Sequence, residues 1–391
     1  MRALTGRIQP YAWGSRAAIA AIQGRDVPSA TPEAELWLGA HPAAPSTVDG
    51  VSLADLVAAD PDGTLGAARR FGRLPFLLKL LAADQPLSLQ AHPDAAQARA
   101  GFDAEEAAGT PLSAPDRNYK DPYHKPEMIV ALTDFDALCG FAPPASTAAL
   151  LDTFDQPALA PVVAALRAGD LRTAVTTLLE LPAATCAETV AGVVATAAKQ
   201  AAGDPAYALA ADLGERYPGD PGVLVALLLN QVRLRPGQAL YAPAGVLHAY
   251  LTGVGVELMA ASDNVLRGGL TPKHVDVPEL LRVLRFEAAT PPVADPEPAG
   301  AGVDAWPALL PGVEEFALRR ARVGGPYEEV VVPGDGPRVL FCVSGRVIAD
   351  DGTDTLSLGP GGAAFVGADR PAVRLTGYGE VYQAGTAPTV T

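Results

Sequence analysis

Proline and glycine stand so densely outside one stretch of this chain that apolar runs there stay at strand length. From residue 1 to about 142, short runs such as Pro75-Phe76-Leu77-Leu78-Lys79-Leu80 lie between turn residues, the texture of strands and tight connections. From about 143 to 220, Ala and Leu dominate, breakers thin out, and 165–181 and 189–213 carry the periodicity and propensity of helices. The cluster Tyr217-Pro218-Gly219-Asp220-Pro221-Gly222 closes that stretch. Strands then return at 227–234, 239–242 and 246–251, separated by the turns Arg235-Pro236-Gly237-Gln238 and Pro243-Ala244-Gly245. Residues 290–302, rich in Pro, Ala and Gly, read as a linker. Short strands follow at 339–343, 346–349, 356–358 and 363–366. The expected fold is mainly β with an α-helical insertion. One β-sandwich or barrel is split between 1–142 and 221–289, a helical domain fills 143–220, and a second β-domain covers 290–391.

A length of 391 residues agrees with two or three domains at roughly 150 residues each. The formal net charge of −15 argues against a nucleic-acid partner, which needs a basic face. An anionic ligand must then be met by a local cluster of Lys, Arg or metal. Cys139, Cys186 and Cys342 are odd in number and widely spaced, so a reducing compartment is expected and no disulfide framework. Residues 1–15 hold no apolar signal core, and the apolar run 223–229 is far short of the ~20 residues of a membrane span. A soluble, cytoplasmic protein without membrane contact is expected.

Three segments carry chemistry. In Ser88-Leu89-Gln90-Ala91-His92-Pro93, strand alternation puts Ser88, Gln90 and His92 on one face. Such a face lines a polar cavity or meets solvent. In His124-Lys125-Pro126-Glu127-Met128, Lys125 and Glu127 stand two apart. After the Pro243-Ala244-Gly245 turn, His248 and Tyr250 point together. Gln90, His92, Glu127 and His248 make a zinc set with room for water or substrate, although an amide is an unusual ligand. A lone strand histidine is ordinarily a hydrogen-bonded core or surface residue. Two of the chain's five histidines on matched polar faces strengthen the metal reading. Lys79, inside the apolar run 76–81, either snorkels at an edge or is held in the cavity. Glu257 lies in an apolar strand, where an unpaired carboxylate is costly. Arg267 precedes two glycines that would let the backbone approach a ligand, while Asp263 and Lys273 are as readily solvated surface.

These segments, together with Ile8-Gln9-Pro10-Tyr11-Ala12-Trp13-Gly14-Ser15, Ala34-Glu35-Leu36-Trp37-Leu38-Gly39-Ala40-His41-Pro42 and 262–276, resemble type I mannose-6-phosphate isomerases. The likeness runs in order from residue 8 to about 285 and continues more weakly into the tail. It implies a zinc-dependent catalytic cupin barrel of the RmlC type, a helical domain and a second cupin. It implies one Zn2+ per chain, held by Gln90, His92, Glu127 and His248. Catalytic roles fall on Arg267, Lys125, His124, Lys79 and Asp263, and substrate contacts on Ser88, Lys273, Glu257, Tyr250 and Trp13. The reaction implied is the reversible aldose–ketose interconversion of mannose 6-phosphate and fructose 6-phosphate through an enediol, a step associated with GDP-mannose biosynthesis whose physiological direction the sequence leaves open. The only partner implied is the phosphosugar, and a monomer is expected. One departure is Gly6-Arg7, where family members often carry Asn before the Ile-Gln pair. No histidine follows His274, so the second β-domain is expected to bind no metal.

For this chemistry Arg267, permanently charged, suits stabilisation of an enediolate better than service as a base. The proton carrier stays open among His124, Lys125 and a water on the metal. A cupin oxygenase with two His and a carboxylate is the rival enzyme class, and a sugar-binding cupin the non-enzymatic one. Lys79, Lys125 and Arg267 suit an anionic sugar better than either.

Overall fold

The apolar run containing Lys79 becomes strand Phe76–Ala83, buried along its whole length. In a computed structural model, which describes residues 1–325, 327–334 and 336–387, this strand lies between Glu35–Gly39 and His248–Ala260 in an eleven-stranded sheet. Strand His248–Ala260 belongs to two layers at once. Its first part pairs with Leu89–Ala91 and Phe135–Phe141, and its later part with Phe76–Ala83 and Glu127–Ala131. The register shift between Tyr250 and Thr252 marks the corner between the layers. The layers face each other across Leu81, Ile129, Phe135, Ala137, Leu240 and Tyr250, the apolar floor of a barrel.

A second, nine-stranded sheet is organised by the 13-residue strands Arg338–Asp350 and Val373–Gly385, which pair with each other. Its interior is Val323, Val330, Leu340, Val347, Leu375, Val381 and their neighbours. The barrels pack outer face to outer face. Leu78, Leu80, Met128 and Leu258 of the first meet Trp306, Phe316, Phe341 and Tyr382 of the second.

Strand pairing crosses the boundary expected at 290 in both directions. Arg2–Leu4 pairs with Ala363–Val366 and completes the second sheet. Val293–Ala294 pairs with Ala239–Ala242 in the first. The Pro- and Gly-rich stretch read as a linker is thus partly strand, and Glu297–Gly300 also pairs, with Val303–Ala305. All of this lies at sheet edges, where a proline's missing N–H costs no ladder bond.

The helical stretch differs from expectation in its breaks. In place of two long helices there are Ala160–Arg167, Leu171–Leu179, Ala183–Ala197 and Pro205–Arg216. Asp170 and Asp204 accept the N–H groups of Thr173 and Ala206 and so start new helices. A short helix, Gly222–Ala226, precedes strand Leu229–Leu234, so the strand expected from 227 begins later. The helices bury Val162, Leu166, Val175, Leu178, Val190 and Leu213 against Leu89, Leu138, Leu247 and Leu266 on the other outer face of the first barrel. Among the described residues no single helix is long and apolar enough to cross a membrane. The three cysteines are buried and unpaired. The first barrel is therefore clasped between the helices and the second barrel. The architecture is mainly β, with two cupin-like barrels and a helical insertion.

Candidate metal centre and active site

One row of side chains crosses the layer that faces the helices. Arg267 lies opposite Gln90, and Gln90 opposite His248, on three adjacent strands. Residues directly opposite share a face, so the pairing sets these three side by side. His92, one residue beyond strand Leu89–Ala91, and Glu127, first residue of the facing strand, close on the same point. His92, Glu127 and His248 bring one ligand atom each within 4.8 Å of one another, and all three are fully buried.

The hydrogen bonds fix what these imidazoles offer. His92 Nδ1 lies 2.8 Å from the Asn264 carbonyl and His248 Nδ1 3.0 Å from the Val246 carbonyl. A carbonyl only accepts, so each Nδ1 carries a proton, and in the neutral ring the lone pair is on Nε2. Burial pushes the His92 imidazole down to about 4, helped by Lys125, so it is neutral at neutral pH. Yet His92 Nε2 is 3.3 Å from Glu127 Oε2, and His248 Nε2 is 2.8 Å from Glu127 Oε1. His92 Nε2 and Glu127 Oε2 are buried and left without a hydrogen-bond partner, a lone pair facing a carboxylate oxygen. A divalent cation among them resolves the conflict, and neutral imidazole with carboxylate is a zinc donor set. Burial would raise the Glu127 carboxyl, but Lys125, with Nζ 2.9 Å from Oε2, and the imidazoles hold it well below the usual range.

Next to this centre lies a buried charged wall. Lys79 Nζ is 2.8 Å from Glu257 and 3.4 Å from Glu35, with every one of these side chains under a tenth exposed. Register explains the meeting, because Glu257 lies directly opposite Lys79. Burial alone would lower the Lys79 ammonium, but Glu257 and Glu35 outweigh it and raise it. Lys79 is therefore a fixed cation. Trp37, opposite Lys79 on the other side, donates its indole N–H to Glu35 at 2.7 Å. His41 sets its ring edge on Trp37 and its Nε2 3.1 Å from Asp263.

The remaining candidates separate. Arg267 and Lys273 sense each other's charge, and among the described residues Arg267 has no carboxylate partner. Ser88 is partly exposed just before its strand, and Trp13 stacks on Tyr11 near the mouth. Tyr250 is fully buried, with its ring edge on Phe135 and its hydroxyl toward Glu257. The His124 imidazole turns away from the triad to Glu315, 2.6 Å distant, in the segment leading into the second barrel. Alternation accounts for this, since Lys125 and Glu127 occupy the opposite face. The glycine pair after Arg267 also differs from expectation. Gly269, at φ +120, has its backbone against Gly222, where a Cβ would come within 2.5 Å of the Gly222 Cα. It serves helix packing, not ligand approach.

Glu35, His41 and Asn264 were not read from sequence as functional. Glu35 and Trp37 show the same polar alternation that marked Glu257, so a signal was present. Asn264 acts partly through its main-chain carbonyl, which no side-chain pattern reveals. Its side chain also accepts from Lys120 N and donates to the Asp121 and Tyr123 carbonyls.

Comparison with known proteins places this geometry. Residues 1–144 match the pattern of the phosphomannose isomerase type I catalytic domain. The chain is 40% identical to mannose-6-phosphate isomerase of Escherichia coli (strain K12), covering 97% of this chain and 98% of that one. It is 33% identical to mannose-6-phosphate isomerase of Homo sapiens, covering 94% and 93%. A crystal structure of zinc-bound mannose 6-phosphate isomerase superposes with a TM-score of 0.89 at 37% identity, over 99% of both chains. A single-residue mutant of phosphomannose isomerase from Salmonella typhimurium does so with a TM-score of 0.90, over 99% of this chain and 100% of that one.

Proposed function

This chain belongs to the type I phosphomannose isomerase family, and we infer that it interconverts D-mannose 6-phosphate and D-fructose 6-phosphate through an enediol. The observation that carries the reading is the meeting of two imidazoles, each anchored through Nδ1, with Glu127, beside an arginine that has no carboxylate partner among the described residues. A single Zn2+ per chain fits Gln90, His92, Glu127 and His248, and when bound it supplies Lewis acidity toward the sugar oxygens.

The chain's own residues do the rest. Arg267 faces the charge that develops on the enediolate oxygens, which a permanent cation in a half-buried site stabilises. Lys273, with no acidic partner among the described residues and within the field of Arg267, suits the phosphate, with Ser88 as a hydroxyl donor. Lys79, fixed by Glu257 and Glu35, is no base; it holds the wall and can donate to a sugar hydroxyl. Asp263, Lys125 and a water on the metal are the candidate proton carriers, with His124 engaged by Glu315. The floor of Phe135, Tyr250 and Ile129 closes the barrel interior with apolar side chains. A cytoplasmic location suits three free cysteines and an intracellular phosphosugar.

The test is a coupled assay of fructose 6-phosphate formed from mannose 6-phosphate, before and after EDTA and with zinc restored. Activity lost and then recovered, with one zinc per chain by elemental analysis, supports the reading. Tight zinc binding without isomerisation would overturn it in favour of a sugar-binding cupin.

A further inference from the structure

His41 is one of the chain's five histidines, it is 4% exposed, and the chemistry described so far makes no use of it. It follows strand Glu35–Gly39, and its ring is held on three sides. The Trp37 ring meets it edge-on at 4.7 Å. The Ala43 N–H donates to His41 Nδ1 at 3.3 Å. A ring nitrogen that accepts carries no proton in neutral imidazole, so the proton sits on Nε2. That Nε2 lies 3.1 Å from Asp263 Oδ1.

Asp263 is held from its other end as well, through its main-chain N–H to Asp121 Oδ2 at 2.8 Å. Its side chain nevertheless stays 47% exposed, so one oxygen is tied to His41 while the carboxylate stays open to the cavity mouth. The charged and titratable groups that face it are His41, Lys125 and Lys79, with Asp121, Lys120 and Tyr11 beside them. Burial would raise the Asp263 carboxyl, but the His41 N–H, then Lys125 and Lys79, hold it below the ordinary value.

We propose that His41 is a positioning residue that orients the Asp263 carboxylate toward the sugar. This rests on the reading of Asp263 as a proton carrier in the isomerisation. The arrangement is that of a buried imidazole in one tautomer presenting a single N–H to a carboxylate that must be aimed. An aimed base contributes a large factor, and one left free to rotate loses part of it. The same ring buttresses Trp37, whose indole holds Glu35 beside Lys79, so His41 links the fixed cation to the Asp263 carboxylate.

The experiment compares His41→Leu, His41→Gln and Asp263→Asn in the zinc-loaded enzyme. For His41→Leu, kcat is expected to fall about 10- to 100-fold, part of the ~10²–10⁴ that a positioned base contributes. KM for mannose 6-phosphate and zinc content should stay at the wild-type level. The acidic limb of the kcat/KM profile should move to higher pH, because Asp263 loses the donor that favours its ionised form. His41→Gln, which retains an N–H donor of similar reach, should recover most of kcat and return the acidic limb. If His41→Leu fails to fold, His41→Asn, polar but too short to reach Asp263, takes its place with the same expectation. An unchanged kcat and acidic limb in His41→Leu, with Asp263→Asn inactive, would overturn the proposal and leave Asp263's role intact. Loss of zinc in step with activity, unrescued by Gln, would also overturn it, as a purely structural role. Full activity in Asp263→Asn would instead sink the underlying reading of Asp263.

Discussion

The two barrels of this chain have the same kind of frame and opposite fillings. Each is organised by 13-residue strands that bend between layers at a register shift. The first encloses Glu35, Lys79, His92, Glu127, His248 and Glu257 above an apolar floor. The second is filled by Val323, Val330, Leu340, Val347, Leu375 and Val381, and its buried Arg338 spends its guanidinium on the carbonyls of Pro333, Gly367, Arg370 and Pro371. The second barrel also buries charges, Asp351 against the Met1 ammonium and Asp304 against Arg320, but no triad of metal-ligating side chains is found there among the described residues. Buried ion pairs rarely repay their desolvation in stability, which is consistent with the cluster of the first barrel being kept for chemistry.

That contrast can be broken from either side. Putting a charge where the frame has none, Leu340→Lys in the fully buried second interior, should have the largest effect. It would cost more than about 4 kcal/mol and shift or abolish the thermal transition, read by calorimetry or denaturant titration. Removing one partner from the charged interior comes next. Glu257→Leu leaves Lys79 with Glu35 alone at 3.4 Å and should cost about 3–5 kcal/mol in unfolding free energy. Arg267→Ala touches the chemistry and not the frame. It should lower kcat about 10²–10³-fold with zinc content and melting temperature unchanged, and loss of metal would instead assign Arg267 a structural role. Converting the first interior toward the second, with Glu35→Gln, Lys79→Met and Glu257→Leu together, should leave stability equal or raised by about 1–4 kcal/mol while activity vanishes. A destabilised triple variant would show that the charges support the frame after all.

The smallest effect is expected where the barrels meet. His124 holds the Glu315 carboxyl below its ordinary value, even though burial would raise it. A depressed carboxylate adds stability above its unfolded value, about pH 4.3, and loses it as the pH falls through the lower folded value. Glu315→Gln should therefore cost about 1 kcal/mol or less at neutral pH and flatten the acid limb of the stability profile below pH ~4.3. An acid limb identical to wild type would mean the pair contributes nothing.

Much of this was legible from residue order, and the limits have physical causes. The polar faces of Gln90, His92 and Glu127 follow from strand alternation, and the breaker pattern located the helical stretch. The partners of Lys79 were hidden, because register between strands 44 and 178 residues away from it is set by the whole sheet and not by local sequence. The His124–Glu315 contact was not readable, because Glu315 lies 191 residues away in the segment leading into the second barrel. The helix breaks at Asp170 and Asp204 were likewise readable as caps and were overridden by the Ala-rich composition around them. The strands in 293–300 were not readable, because Pro and Gly at a sheet edge leave no compositional trace of pairing.

The pairing of Arg2–Leu4 with Ala363–Val366 bears on how the molecule avoids self-association. Without its cover, Ala363–Val366 would be a flat, wholly apolar border strand with open backbone donors and acceptors, the kind of template on which chains add to one another. The cover comes from the far end of the sequence, about 360 residues away, and such long-range closure is slow to form. During that wait the second barrel is the molecule's most adhesive part. Truncation or crowding of residues 2–4 should thus appear first as aggregation, before any loss of catalysis.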